Sequence, residues 1–334
     1  MRRIDFLINS LQRKRFNMFK RITICLVLLT AFNSCNNQEK KEESEIMIDR
    51  KKIDKAFNKD VSKLLLDHLY VVVDSITYEK VIKNNAWKNK YASLDLGLPD
   101  FDPVHNTAST CYLRGHQHYI EILSPKNDYN EPIGKSGIGF SLKNNDEHFH
   151  LGIKPKLKVT KDSFLYAAET VQMPLGNDNH TWFKAFYTPS PGTSLHTWYG
   201  FYNPAFLDNL HGKHHSTYSR EAFLKSTYTE QKLFNGIKEI HLSCIPDDYR
   251  RVTEEMRHLG CKLLEKNGNI LTIAGGDITI NIKPSNQIEY SRITKIICRL
   301  NNEDNSTIQL GNVTITNQGN ESIWNFDELH KNNR

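Results

Sequence analysis

Apolar residues fall at period two in some stretches of the chain and at helical spacing in others, and this alternation recurs. LDHLYVVVD, from Leu66 to Asp74, is β-branched and apolar and predicts a strand with His68, Tyr70 and Val72 on one face. SITYEKVIKNNAW, from Ser75 to Trp87, opens on Ser and sets Tyr78, Val81 and Ile82 at helical spacing. CYLRGHQHYIEILSP, from Cys111 to Pro125, reads as a pair of strands, the second with Tyr119, Glu121 and Leu123 on one face. The unit is β-α-β-β.

The pattern continues less regularly. SGIGFSL, Ser136 to Leu142, predicts a strand entered through glycines. The mostly polar stretch Asn144 to Lys158 reads as loop, and Phe164 to Val171 alternates weakly. Two aromatic strands follow, HTWFKAFYTP from His180 and LHTWYGFYNP from Leu195, joined by the Pro/Gly/Ser turn of Ser190 to Ser194. Ala205 to Gln231 reads as irregular. From Asn235 the opening pattern returns. IKEIHLSCIP is a strand carrying His241, and DDYRRVTEEMRHLG is an amphipathic helix with acids at its start and Gly260 as its stop. Cys261 to Pro284 reads as short strands with Asn-Gly and Gly-Gly turns. Ser291 to Leu300 and Thr307 to Thr316 predict further strands.

The N-terminal end has a different pattern. MFKRITICLVLLTAFNSC, Met18 to Cys35, has a basic start, an apolar run from Ile22 to Phe32 and a small residue before a cysteine. That run is shorter than the roughly 20 apolar residues a spanning helix needs, so it reads as a signal peptide with Met18 as a candidate start. Its ending resembles a bacterial lipobox, which implies cleavage before Cys35 and lipidation of that thiol. NNQEKKEESE, Asn36 to Glu45, is polar and charged and reads as a tether. Its acidic character resembles the export signals of Bacteroidetes-type surface lipoproteins. Ile46 to Leu66 reads as a short lead-in helix. The expected organisation is thus a leader over 1–35, a tether and lead-in over 36–60, a two-module domain over 61–234 and a C-terminal module with extra strands over 235–334. The expected location is the cell envelope, with the membrane reached through the lipid.

The 334 residues, 38% hydrophobic and 25% charged, are enough for two globular domains. The net charge of +6 is spread among acids, with no basic block in the body, so nucleic acid is not an expected partner. Outside the leader, Cys111, Cys244, Cys261 and Cys298 form no CxxC pair and sit in or beside apolar runs, where a thiol fills core. A phosphate-cradling glycine loop and a GxSxG elbow are both missing, which disfavours nucleotide enzymes and serine hydrolases. The HGKHH cluster, His211 to His215, has metal-ligating side chains, although solvation is the commoner role of loop histidines. Glu121 between isoleucines needs a partner, because an unpaired buried carboxylate costs several kcal/mol. That partner is a metal, His68 or a substrate group.

Repeated βαβββ modules with a histidine on the first strand and a carboxylate on the last resemble the vicinal oxygen chelate superfamily of glyoxalases and extradiol dioxygenases. LDHLYVVVD and HYIEILSP carry the likeness. It implies an α+β fold of curved mixed sheets around a cavity. It also implies a divalent Fe, Mn or Zn ion held by first-strand and last-strand residues of paired modules. His68 and Glu121 match two such positions and His241 a third, while the corresponding places fall on Ile280 in the last module and near Gly139 and Gly200 in the middle one. Two functions stay open. One is a metal-free lipoprotein binding a small organic ligand with His68, Tyr119, Trp182, Tyr187, Trp198 and Tyr202. The other is a metal-dependent enzyme using His68, Glu121 and His241, with Glu121 as the catalytic group. The missing carboxylate and the ligand-free middle module favour the binder.

Overall fold

A computed structural model describes residues 46–47, 64–142, 156–157, 167–187 and 195–330. The leader, Cys35, the tether and most of the lead-in fall outside them, as does most of the loop expected over Asn144 to Lys158. The lead-in differs from the expected helix at both described ends. Ile46–Met47 pairs as a strand with Lys156–Leu157, and Leu64 to Leu66 belong to the first long strand.

Two eight-stranded sheets make up the rest. The first begins with β1 (Leu64–Val72), α1 (Ser75–Lys83), α2 (Asn85–Lys90), β2 (Ser93–Asp95), β3 (Thr110–Arg114) and β4 (Tyr119–Leu123). It continues with β5 (Ser136–Leu142), β6 (Ala167–Leu175), β7 (Asp178–Tyr187) and β8 (His196–Tyr202). Across the sheet the order is β2-β3-β4-β1-β5-β8-β7-β6. Each set of four strands therefore lies with its first strand beside its last, and the two first strands, β1 and β5, meet antiparallel at the centre. The first module pairs with the middle one.

The second sheet repeats the plan. After α3 (Pro204–His211) and α4 (Arg220–Leu224) come β9 (Phe234–Cys244), α5 (Pro246–His258), β10 (Lys262–Asn267), β11 (Ile270–Gly275) and β12 (Ile278–Pro284). Then follow β13 (Arg292–Leu300), β14 (Thr307–Leu310), β15 (Val313–Gln318) and β16 (Glu321–Asn325). The order β10-β11-β12-β9-β13-β16-β15-β14 matches the first sheet. The extra C-terminal strands are thus a fourth module, with a short turn where the first and third modules have a crossover helix.

That missing helix shapes the packing. The apolar back of β14 to β16, with Leu310, Val313, Ile315 and Trp324 buried, has no helix of its own and must be covered. The first module's α1 covers it. Thr77 in α1 accepts a hydrogen bond from the Asn312 amide at 2.8 Å, and Trp324 donates to the Tyr91 hydroxyl at 2.7 Å. In turn α5 packs on β8 of the first sheet. Its Glu255 accepts from Thr197 at 2.9 Å and Tyr199 at 2.6 Å, and Arg251 pairs with Asp248 and Glu255. One apolar core thus runs between the backs of both sheets. A void in it, lined by Val71, Val81, Ile120, Val313 and Trp324 among others, measures about 10 Å³, room for one water at most. The opposite face of each sheet is left for other work. Cys111, Cys244, Cys261 and Cys298 are all free thiols, and only Cys261 is not fully buried.

Candidate functional site on the open face of the first sheet

Strand register lays the front of the first sheet out in two rows. Reading across β3, β4, β1, β5, β8 and β7, the first is Arg114, Tyr119, His68, Gly139, Trp198 and Tyr187. The second, across β3 to β8, is Tyr112, Glu121, Tyr70, Gly137 and His196. Sequence alternation brings these residues to one face. Only sheet order brings the two modules' halves together.

A register shift in β1 between Leu66 and His68 breaks the alternation. A bulge lets adjacent side chains serve one side of a sheet, and here Asp67 reaches His68. Asp67 Oδ2 lies 2.9 Å from His68 Nδ1 and also accepts a hydrogen bond from Tyr202 Oη. An ionised carboxylate only accepts, so Nδ1 carries the proton and Nε2 the lone pair. The imidazole stacks on Tyr119, with ring centroids 4.2 Å apart and planes within 12°, and leans on Trp198 at 4.8 Å.

The glycines of SGIGF have a packing reason. A Cβ at Gly139 would fall within the Trp198 indole, and one at Gly137 within the Tyr70 ring. The two aromatics can lie against β5 only because its front is bare. The places matching His68 and Glu121 in the second module are therefore given over to Trp198 and backbone. Tyr70 is 7% exposed, and its Oη has no hydrogen-bond partner among the described residues. Burial, then Glu131, Glu121 and Tyr129, push its pKa well up, so it stays a neutral donor. Glu121, half-buried, accepts from Tyr112 Oη at 3.2 Å. His196 is pushed down to about 3 by burial, with Lys135, Arg251 and His68 adding to the effect. Lys135 is itself wholly buried and pushed down to about 8.

The other end of this face is covered. The stretch read as irregular in the sequence forms α3 and α4, and their Phe206, Leu207, Phe223 and Leu224 bury against Tyr119, Tyr202 and Tyr218. Trp182 is part of this packing, donating to Tyr218 Oη at 3.0 Å and lying 5.6 Å from the Phe206 ring. Asn203 caps α3, Pro204 follows it and Gly212 ends it at φ 64°. These are ordinary start and stop signals, visible in the sequence but overlooked because the helix is only eight residues long. Trp182 and Tyr202 therefore sit within a packed cluster. His68, Tyr119, Glu121 and Trp198 come together in front of it. Tyr187 pairs with Trp198 by its backbone, its side chain lying outside the described residues. Sequence reasoning passed over Asp67, Tyr70 and His196. An alternation rule hides the first, and the other two carry no signal beyond sharing the face of His68 and Trp198.

His241 is elsewhere. It is on β9 in the second sheet, paired with Glu239 at 2.5 Å. Glu239 also accepts from Asn281 at 2.7 Å, and Asn281 from Thr272 at 2.7 Å. Ile280, expected where Glu121 stands in the first module, points into the core at 1% exposure. Asn281 is the residue on the open face, paired in register with His241 as Glu121 is with Tyr70. Among the described residues no three His, Cys, Asp or Glu side chains are grouped to hold one metal ion.

Residues 66–326 match the model of DUF5829, a family of unknown function. The chain belongs to that family. Nothing among curated proteins matches it. Similar solved structures include a hypothetical protein from Staphylococcus aureus, 13% identical with a TM-score of 0.40, covering 69% of this chain and 88% of its own. Another is a mutant of 4-hydroxymandelate synthase from Streptomyces coelicolor, 11% identical with a TM-score of 0.34, covering 70% of this chain and 69% of its own. The latter has the vicinal oxygen chelate fold. Likenesses this distant carry no activity across to the DUF5829 chain.

Proposed function

We propose that this DUF5829 protein binds a small organic ligand on the front face of its first sheet, without a metal, and does so as a lipid-anchored protein of the cell envelope. One observation carries the ligand reading. A neutral, buried and unpartnered Tyr70 hydroxyl sits in one row with Glu121 and His196, beside a row in which Tyr119 and Trp198 sandwich His68. Apolar walls with a few convergent polar groups are what small-molecule sites use. His68 Nε2 and Glu121 accept, Tyr70 Oη donates, and the aromatic rings take a flat apolar body. The ligand this suits is a small aromatic or unsaturated molecule bearing hydroxyl or carbonyl groups.

The metal-dependent alternative required His68, Glu121 and His241 on one ion. His68 and His241 stand in different sheets, each with its own carboxylate, so that reading is left without its ligand set.

Thermal-shift screening of small hydroxylated aromatic compounds, followed by titration while monitoring tryptophan fluorescence, tests the ligand reading. Hits are expected to bind about tenfold or more weakly to Glu121→Gln, as loss of a charged hydrogen-bond acceptor implies. Unchanged affinity in that variant would sink the assignment. The anchor is tested apart from the ligand. Cys35→Ala is expected to leave the membrane fraction on detergent partitioning, and unchanged membrane association would count against lipidation at Cys35.

A further inference from the structure

The helical cover of the site contains a second constellation that the ligand reading does not use. His211 is the last residue of α3, and His215 follows four residues on. His211 Nδ1 and His215 Nε2 lie 3.0 Å apart, with the ring planes tilted by 53°. Two neutral imidazoles can make this contact only if one donates its proton to the other's lone pair. Either ring can move that proton to its other nitrogen, leaving two lone pairs side by side.

The arrangement is held in place by backbone. Gly212, at φ 64°, turns the chain back over the helix end, and its amide bonds Asp208 O at 2.9 Å. Asp208 Oδ1 accepts the His215 amide at 2.7 Å, and Oδ2 lies 3.3 Å from His214 Nδ1.

We propose that His211 Nδ1 and His215 Nε2 form an open two-histidine chelate for a late first-row divalent cation, Cu²⁺ first, with Ni²⁺ and Zn²⁺ weaker. Two nitrogens on one such ion, each at about 2.1 Å, lie roughly 3.0–3.4 Å apart for cis positions of an octahedral or tetrahedral centre. The observed spacing matches, and binding needs each ring to turn so that its lone pair leaves the line between the two nitrogens for the ion. Imidazole suits these ions, and their affinity order follows the series. Among the described residues no third side chain is in place, and water or an exogenous ligand completes the coordination. Asp208 acts as a positioning residue for His215. An ion here ties the start of the α3–α4 loop to the end of α3. It thereby fastens the segment whose Phe206, Leu207 and Phe223 cover Tyr202 and Tyr119.

The test uses the full chain, purified without a histidine tag and stripped of metal. Isothermal titration with CuCl₂ and NiCl₂ is expected to show a saturable site that is lost in His211→Ala and in His215→Ala but kept in His214→Ala. Electron paramagnetic resonance of the Cu²⁺-loaded wild-type chain is expected to show two imidazole nitrogens, and it needs no variant to fold. Absence of binding, a single coordinated nitrogen, or binding that survives either alanine replacement in a folded variant overturns the proposal.

Discussion

Tyr70 separates structural from functional demands most cleanly. A buried hydroxyl without a partner costs about 1–3 kcal/mol of stability relative to a satisfied one, and a core built for stability alone would use Phe. Tyr70→Phe is therefore expected to raise the unfolding free energy by about 1 kcal/mol in urea titration while weakening ligand binding. A variant that loses stability would show that the hydroxyl already has a structural task. His68 makes the complementary case. Its tautomer is fixed by Asp67, a residue adjacent in sequence that an ideal strand would turn to the other face. The two-residue step on which the strand reading rests fails at the bulge, the position that matters most to the site.

Among the elements, the turn between β11 and β12 does the most to join the sheets. Gly276 has φ 76°, and an added Cβ would collide with the Leu64 carbonyl of β1. The next residue, Asp277, accepts from the Leu66 amide at 2.8 Å, His118 Nε2 at 2.9 Å and Arg220 at 3.0 Å. One Gly-Asp turn thus fixes the central strand of the first sheet, the start of β4 and the helix α4 of the cover. Gly276→Ala combines left-handed strain with a backbone clash and is expected to cost about 2–4 kcal/mol. Thermal denaturation would read this as a lowered midpoint, and an unchanged one would mean the sheets do not depend on this docking. In the sequence the Gly-Gly pair was legible as a hairpin turn. Its partner across the molecule was not, because turn chemistry is local and Leu64 is more than two hundred residues away.

For the whole molecule, the two halves share buried titratable groups, and these set its response to acid. His118 is held below its ordinary range by burial, which outweighs the attraction of Asp277, and His196 is pushed down to about 3. Burial opposes ionisation of Asp277, but the hydrogen bond and charge of His118, with Arg220 and the Leu66 amide, hold it low. For all three the folded pKa lies below the unfolded one, so the unfolded chain binds more protons as the pH falls. Their contribution is complete above the unfolded values, about 6.5 for His and 3.9 for Asp. It shrinks on acidification, for His196 down to about pH 3. Stability measured by urea titration is expected to drop steadily as the pH falls below about 6.5. A profile unchanged between neutral pH and pH 4 would exclude a neutral buried state for these histidines.

The sequence by itself determined the β-α-β-β pattern of the opening unit and its return from Asn235, the faces of those strands and the nearness of His68, Tyr119 and Glu121, but not the short strand β2. All of these follow from periods of two and 3.6 and from residues close along the chain. It also exposed the bare second module, since Gly139 and Gly200 were visible as glycines. It did not determine which modules share a sheet, because the apolar back of every module looks alike to local patterning and several pairings would bury it. The tertiary structure decided that β1 meets β5, which set Trp198 and His196 opposite His68 and Tyr70 and put His241 on another sheet. It also decided that α1 would serve as the fourth module's helix and that α3 and α4 would fold over the front face. These choices depend on which surfaces fit one another, and that complementarity appears only when distant segments meet.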